Sequence, residues 1–263
     1  MGRPVVALLT DFGTRDHYVA AMKAVALGIC PDLTLVDISH EVPAHDVMAG
    51  ALELAAVYRY FPAGTIFLVV VDPGVGSTRR GIAADAGDYR FVAPDNGVLT
   101  MILDAHPPRR VVELSERKYA RPTVSRTFEG RDRFAPAAAW LAKGIDLAAL
   151  GRSAGTVHRL DLPQVHAEAG RIAGEVVRVD RFGNLITNID RGTFEALARE
   201  AVEIRIGTHR VPQVVSTYAD AAPGGICALF GSTDHLEVSA NGASAAERLA
   251  LGRGAVVEVL RRA

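Results

Sequence analysis

The stretch "FLVVVDPGVGSTRR", residues 67–80, decides the fold. Its first five residues are apolar without alternation, the pattern of a strand buried on both faces, as in a parallel sheet covered by helices. The run ends at Asp72, then a proline and two close glycines turn the chain, and Arg79 and Arg80 follow. A buried strand therefore delivers a carboxylate at its tip. Gly74 and Gly76 predict a tight turn that brings Arg79 or Arg80 back towards it.

Outward from this segment the same style continues to about residue 150. The runs "VVALLT" (5–10), "LTLVDI" (33–38), "YRFVAP" (89–94) and "RVVEL" (110–114) read as further strands. Between them "DHYVAAMKAVALGI" and "DVMAGALELAAVYRY" carry apolar residues at helical spacing, with Asp46 as N-cap of the second. "RDRFAPAAAWLAKGI" (131–145) predicts another helix, with Gly144 near its end. Strands alternating with helices give an α/β fold: a parallel β-sheet flanked by helices.

From about residue 168 the pattern changes. "GRIAGEVVRVD", "NLITNID", "AVEIRIG", "GICALFG", "HLEVSA" and "GAVVEVL" are short strands divided by Gly, Asn and Asp turns. They predict a smaller antiparallel, barrel-like β domain, with little helix beyond "RGTFEALARE" and "ASAAERLA". The expected division is 1–165 and 166–263, through "HRLDLPQVHAEAG". A chain of 263 residues suits two domains of this size.

Bulk properties narrow the function. The net charge is −1, which provides no broad basic surface for nucleic acid. Two cysteines, Cys30 and Cys227, form no CxxC and no disulfide framework, and no apolar run is long enough to span a bilayer. A reducing, cytoplasmic setting is expected.

Ligands of open parallel sheets bind beyond the carboxyl ends of the strands. Four strands here are expected to finish in an aspartate: Asp11, Asp37, Asp72 and Asp95. Such carboxylates suit sugar hydroxyls, a cationic ligand or a metal, although no HxxxH, HExxH or DxDxDG spacing favours the metal. "GVGSTR" has an arginine where a dinucleotide fingerprint needs its third glycine, and no GK[ST] follows.

With these residues assembled, the chain resembles the S-adenosylmethionine hydroxide adenosyltransferases, the adenosine-forming S-adenosylmethionine hydrolases related to fluorinase and chlorinase. The matching motifs are "TDFGTRDHYVAAMK", "FPAGTIFLVVVDPGVGSTRR", "APDNG", "TFEGRDRFAPAAA", "VDRFGNLITNI", "YAD" and "GSTDHLEVSANGASAA", in order along nearly the whole chain. The resemblance implies hydrolysis of the sulfonium by water or hydroxide at C5′, giving adenosine and methionine, in some members from the non-biological epimer. It implies no metal or redox cofactor, and a homotrimer with active sites between neighbouring subunits. It places Asp11 on the ribose hydroxyls, Asp72 beside the reacting centre and Arg79 in partnership with it. Asp180, Phe182, Asn184, Ser232, Glu237, Ala240 and Asn241 are implied to surround the adenosine or methionine portions. Asn96 of "PDNG" is a further substrate-binding candidate, although Asn-Gly is also an ordinary turn signal.

One position departs from the pattern. The hydrolases usually read "FHGRD", whereas this chain has Glu129 in "FEGRD". Reference pKa values of about 6.5 for histidine and about 4.3 for glutamate make glutamate the weaker base. Glu129 is therefore expected to hold Arg79 or orient the water, leaving Asp72 as the base. Two carboxylates also repel a halide, so hydrolysis is favoured over the halogenating chemistry of relatives that carry tyrosine in place of Asp72. The alternative from another class is a nucleoside-binding module with little turnover.

Overall fold

The computed structural model describes residues 2–197 and 201–262, which fall into two compact units, Met1–Leu160 and Asp161–Ala263. Unit one follows the order β1 (Val5–Thr10), α1 (Tyr18–Ile29), β2 (Thr34–Ser39), α2 (Val47–Val57), β3 (Ile66–Val70), β4 (Gly81–Ala86), β5 (Tyr89–Pro94), α3 (Thr100–Ala105), β6 (Arg110–Glu113) and α4 (Ala135–Ala142). Its six strands lie in the order β2-β1-β3-β5-β4-β6. Strands β2, β1, β3 and β5 are parallel; β4 is antiparallel to both neighbours.

The unbroken apolar runs are explained by burial on both faces. Val6, Leu8, Leu68 and Val70 join one core with Met22 and Ala26 of α1 and Ala138 and Leu141 of α4. Their alternates Ala7, Leu9, Phe67 and Val69 join the opposite core with Leu54 of α2 and Ile102 of α3. Successive side chains of a strand point to opposite faces, so a sheet between two helical layers needs apolar residues at every position. The Asp46 carboxylate accepts from the Ala49 amide and caps α2 as expected.

From β1 the chain crosses to β2 on one side and, after α2, to β3 on the other. The reversal of strand order falls between the carboxyl ends of β1 and β3, the place where such sheets bind ligands. Asp11 and Asp72 follow those two ends. Asp37 does not share their position. It lies inside β2 and is engaged by Lys23 Nζ at 2.6 Å and His40 Nε2 at 3.1 Å. Strand β4, "GIAADA", is hidden in the sequence by its small residues; the two-residue Gly87–Asp88 turn joining it to β5 is the available signal. The expected helix at 131–145 begins instead with a π-helical turn, Gly130–Phe134, ahead of α4.

Unit two contains β7 (His166–Glu168), β8 (Arg171–Val179), β9 (Leu185–Asp190), α5 (Arg191–Leu197), β10 (Val202–Ile206), β11 (His209–Val211), β12 (Ile226–Phe230), β13 (His235–Ala240), α6 (Ala245–Leu249) and β14 (Val256–Arg261). The last three residues of the expected helix "RGTFEALARE", 198–200, lie outside the described residues. The antiparallel path is β11-β10-β14-β8-β9-β13-β12, with β7 added to β8. Beyond β11, the Gln213 carbonyl accepts from the Ala228 amide and the Val215 amide donates to the Ala228 carbonyl, so the chain after one edge strand meets the other. The sheet nearly closes as a barrel around Ile172, Val176, Leu185, Ile204, Leu236, Val257 and Val259.

Candidate active site

In unit one, β3 delivers Asp72 and the following turns return Arg79 to it. The Val75 amide donates to the Asp72 carbonyl at 3.3 Å and the Ser77 amide to the Gly74 carbonyl at 3.1 Å. Ser77 Oγ donates to Gly74 O at 2.6 Å and accepts from the Arg79 amide at 3.1 Å. Gly76 has φ +77° and lies against the Arg126 carbonyl oxygen, which a Cβ would strike. Only glycine satisfies both demands.

Arg79 then makes a bidentate pair with Asp72, Nε to Oδ1 at 3.0 Å and Nη2 to Oδ2 at 2.5 Å. The same Nη2 donates to Glu129 Oε2 at 2.8 Å. The Arg79, Asp72 and Glu129 side chains are only 8%, 5% and 12% exposed. Arg79 Nη1 is buried and has no partner among the described residues. The guanidinium also lies 5.4 Å from the centroid of Phe134. Burial pushes the Asp72 carboxyl above its usual range; Arg79 pulls it down, and the like charge of Glu129 pushes it up again.

Arg80 has a different task. Nε donates to Asp95 Oδ2 at 2.9 Å and Nη2 to the Thr156 carbonyl at 2.7 Å, while Nη1 donates to the Ala154 carbonyl. Asp95 also accepts from the His158 amide. The fourth strand-end carboxylate is thus committed to a structural arginine.

Glu129 is set between Phe128 and the π-helical turn, a deviation often found at functional sites. Phe128 packs edge-on to Phe12, 6.0 Å between centroids, and to Tyr18 at 5.1 Å. These rings fasten the segment carrying Glu129 to the segment carrying Asp11. The weaker contact of Glu129 Oε1 with Arg133, 3.7 Å, spans one helical turn. Neighbouring Asp132 is wholly buried and bound by Arg131, Arg121 and the Ser125 amide, a structural ion pair that leaves Glu129 to Arg79.

Asp11 Oδ2 accepts from the His45 amide at 2.8 Å, and His45 adopts φ +68° to present it. Asn96 is occupied by backbone: its Nδ2 donates to the Val71 carbonyl at 2.8 Å and its Oδ1 accepts from the Val98 amide at 3.2 Å. It fixes the residue before Asp72.

In unit two a second group gathers. Asp180 Oδ1 accepts from the Phe182 and Asn184 amides, and Oδ2 accepts from Asn184 Nδ2, all at 2.9 Å. This clamp holds Phe182 outward, 75% exposed. Gly183, at φ +81°, packs on Ser244 where a side chain would collide. Buried Glu237 accepts from Tyr218 OH at 2.5 Å and from Ser239 Oγ at 3.2 Å. Burial and this bond to Glu237 push the Tyr218 hydroxyl up, with the Asp180 charge adding to the effect. Ser232 is exposed in the β12–β13 turn, Ala240 ends β13, and Asn241 Nδ2 donates to the Ala221 carbonyl at 2.8 Å. Sequence reasoning misses Phe12, Phe128 and Tyr218. The motifs "DFG", "TFEG" and "YAD" contain them, but only the fold reveals their partners.

A model of the SAM hydroxide adenosyltransferase N-terminal domain matches residues 6–151, and one of the C-terminal domain matches residues 174–258. The chain is 41% identical to an (R)-S-adenosyl-L-methionine hydrolase of Salinispora tropica over 95% of each chain. A fluorinase of an Actinoplanes species is 30% identical, covering 99% of this chain and 98% of the relative. A Thermotoga maritima crystal structure, described as that of an uncharacterized conserved protein, superposes with a TM-score of 0.93 at 34% identity, covering 97% of this chain and all of that one.

Proposed function

Because the chain belongs to the SAM hydroxide adenosyltransferase family, we propose that it hydrolyses S-adenosyl-L-methionine, as the (R)-sulfonium epimer, to adenosine and L-methionine. The observation that carries this reading is Arg79 clamped by Asp72 and Glu129 with its buried Nη1 left for a ligand atom. A buried donor without a partner costs free energy, and a water oxygen is the smallest group that satisfies it.

In the proposed reaction, Nη1 holds the water while Asp72 accepts its proton. The oxygen bonds to C5′ as the C5′–S bond breaks, and the electron pair leaves with sulfur as a neutral thioether. No acid is required for that departure. Holding oxygen, carbon and sulfur in line contributes up to about 7–11 kcal/mol. The raised pKa of Asp72 brings the base nearer to the working pH, the condition under which general-base catalysis is most effective. Glu129 orients Arg79 and the water.

The charge balance selects the substrate. The carboxylates of Asp72 and Glu129, set against Arg79 and the more exposed Arg133, present oxygens that attract a sulfonium and repel chloride or fluoride. A like-charge pair 4 Å apart costs about 4 kcal/mol at an effective dielectric of about 20. Asp11 grips the ribose hydroxyls in this reading, with Asn96 as a further substrate contact that also holds the strand end. Asp180, Phe182, Asn184, Ser232, Glu237, Ala240 and Asn241 contact the nucleoside and methionine portions. A homotrimer in which these residues come from a neighbouring chain is part of the proposal; the exposed, clamped Phe182 supports a partner or ligand at that loop.

Incubation of both sulfonium epimers in oxygen-18 water, followed by mass analysis, tests the reading. Adenosine carrying the label at its 5′ oxygen is expected, chiefly from the (R) epimer. Unlabelled adenosine, or a 5′-chloro nucleoside in high chloride, would overturn it.

A further inference from the structure

Behind the Asp11 segment lies a buried polar line that the reaction does not use. Thr10, fully buried at the end of β1, has its Oγ1 2.9 Å from His40 Nδ1. His40, 6% exposed, places Nε2 3.1 Å from Asp37 Oδ1, and Lys23 Nζ donates to Asp37 Oδ2 at 2.6 Å. The Nε2 contact with Asp37 is an ion-pair distance without hydrogen-bond geometry; the bond that ties the line to β1 is the one between His40 Nδ1 and the Thr10 hydroxyl. The order carboxylate–imidazole–hydroxyl matches a hydrolase triad, but a hydroxyl with no exposure attacks nothing.

The line acts instead on the residues just after Thr10. Its Oγ1 accepts from the Phe12 amide at 3.3 Å, and the His40 carbonyl accepts from the Gly13 amide at 2.7 Å. The Phe12 and Gly13 amides just after Asp11 are thus held by the Thr10 hydroxyl and by the His40 main-chain carbonyl, and the first of these depends on the His40 side chain. A β-bulge makes this possible. Leu8 pairs with Asp37 but Leu9 pairs with Ser39, so β2 carries one extra residue. That residue advances β2 by one step and brings His40 level with Thr10, the re-aiming that bulges perform beside functional sites.

We propose that His40 is a positioning residue for nucleoside binding, setting the Asp11 carboxylate through the Thr10 hydroxyl. The proposal rests on Asp11 being the ribose clasp. Its test compares adenosine with 2′,3′-dideoxyadenosine by calorimetry in wild type, Thr10→Val, His40→Ala, His40→Asn and His40→Gln. Asparagine presents an acceptor at the place of Nδ1, whereas glutamine reaches only the place of Nε2.

Thr10→Val and His40→Ala are expected to weaken adenosine binding about tenfold, or about 1.4 kcal/mol, and to leave dideoxyadenosine unchanged. His40→Asn restores most of the loss, His40→Gln does not, and kcat at saturation stays within about threefold. Equal weakening of both nucleosides, unchanged adenosine binding in Thr10→Val, or His40→Asn no better than His40→Ala overturns the proposal. If His40→Ala does not fold, the near-isosteric Thr10→Val decides. A wild type that fails to distinguish the two nucleosides refutes the clasp reading itself, apart from any role of His40.

Discussion

Replacing Glu129 by alanine removes the carboxylate, its charge and its hydrogen bond to Arg79. The bond lost is the contact of Oε2 with Arg79 Nη2 at 2.8 Å, between side chains 12% and 8% exposed. Breaking a buried ion pair outright costs about 3–5 kcal/mol. Arg79 keeps its two bonds to Asp72, so the cost falls to that of one charge-assisted hydrogen bond, about 1.5–3 kcal/mol. If Glu129 orients Arg79 and water at the transition state, that range predicts a loss of roughly 10- to 150-fold in kcat. Adenosine affinity should change little, because Glu129 does not contact the nucleoside in this scheme. A second readout carries a sign. Glu129 pushes the Asp72 carboxyl up, so removing its charge lowers the Asp72 pKa and moves the acidic limb of kcat/KM to lower pH. Steady-state rates across pH on the (R) epimer, with calorimetry of adenosine, measure both effects. An unaltered kcat, or an acidic limb displaced upward, would refute the role assigned to Glu129.

Asp72→Asn leaves a poor proton acceptor and should lower kcat by about 10²–10⁴, measured as adenosine release, with adenosine affinity within a few fold. Gly76→Ala meets both a left-handed φ and the Arg126 carbonyl; a loss of at least about 1–3 kcal/mol by chemical denaturation and a fall in kcat are expected as Arg79 shifts. The Asp132 carboxyl is held below the usual range by Arg131, the Ser125 amide and Arg121, against the upward push of burial. Its contribution to stability is therefore present above the unfolded pKa of about 3.9 and is lost as pH falls through the lower folded value. Asp132→Ala should cost about 3 kcal/mol at neutral pH and flatten that acid dependence in thermal melts. Asp180→Ala frees the Phe182 and Asn184 amides and should raise KM by about tenfold with kcat little changed.

The parts of the molecule legible in the sequence are those with a local signature. Strands β1 and β3 announce themselves by unbroken apolar runs, because both sheet faces are covered. The return of Arg79 to Asp72 is legible because two glycines stand between an acid and a base only seven residues apart. The hidden parts depend on distant partners. Nothing in "LVDIS" distinguishes an aspartate inside a strand from one at its end; the bulge and the Lys23 contact decide it. Asn96 reads as a turn residue, and only the neighbouring strand shows that its amide holds Val71. Tyr218 meets Glu237 across nineteen residues, a separation no periodicity encodes.

The twin arginines have a consequence for how this chain tolerates change. They sit between the Gly76 turn and the first residue of β4, with their side chains committed to opposite duties, one to Asp72 and Glu129 and one to Asp95. In extended backbone, inserting or deleting a single residue exchanges the directions of its neighbours. One inserted residue in this short connector would turn the Arg79 guanidinium away from Asp72 and the Arg80 guanidinium away from Asp95. The length of the connector is therefore as fixed as the two arginines it carries.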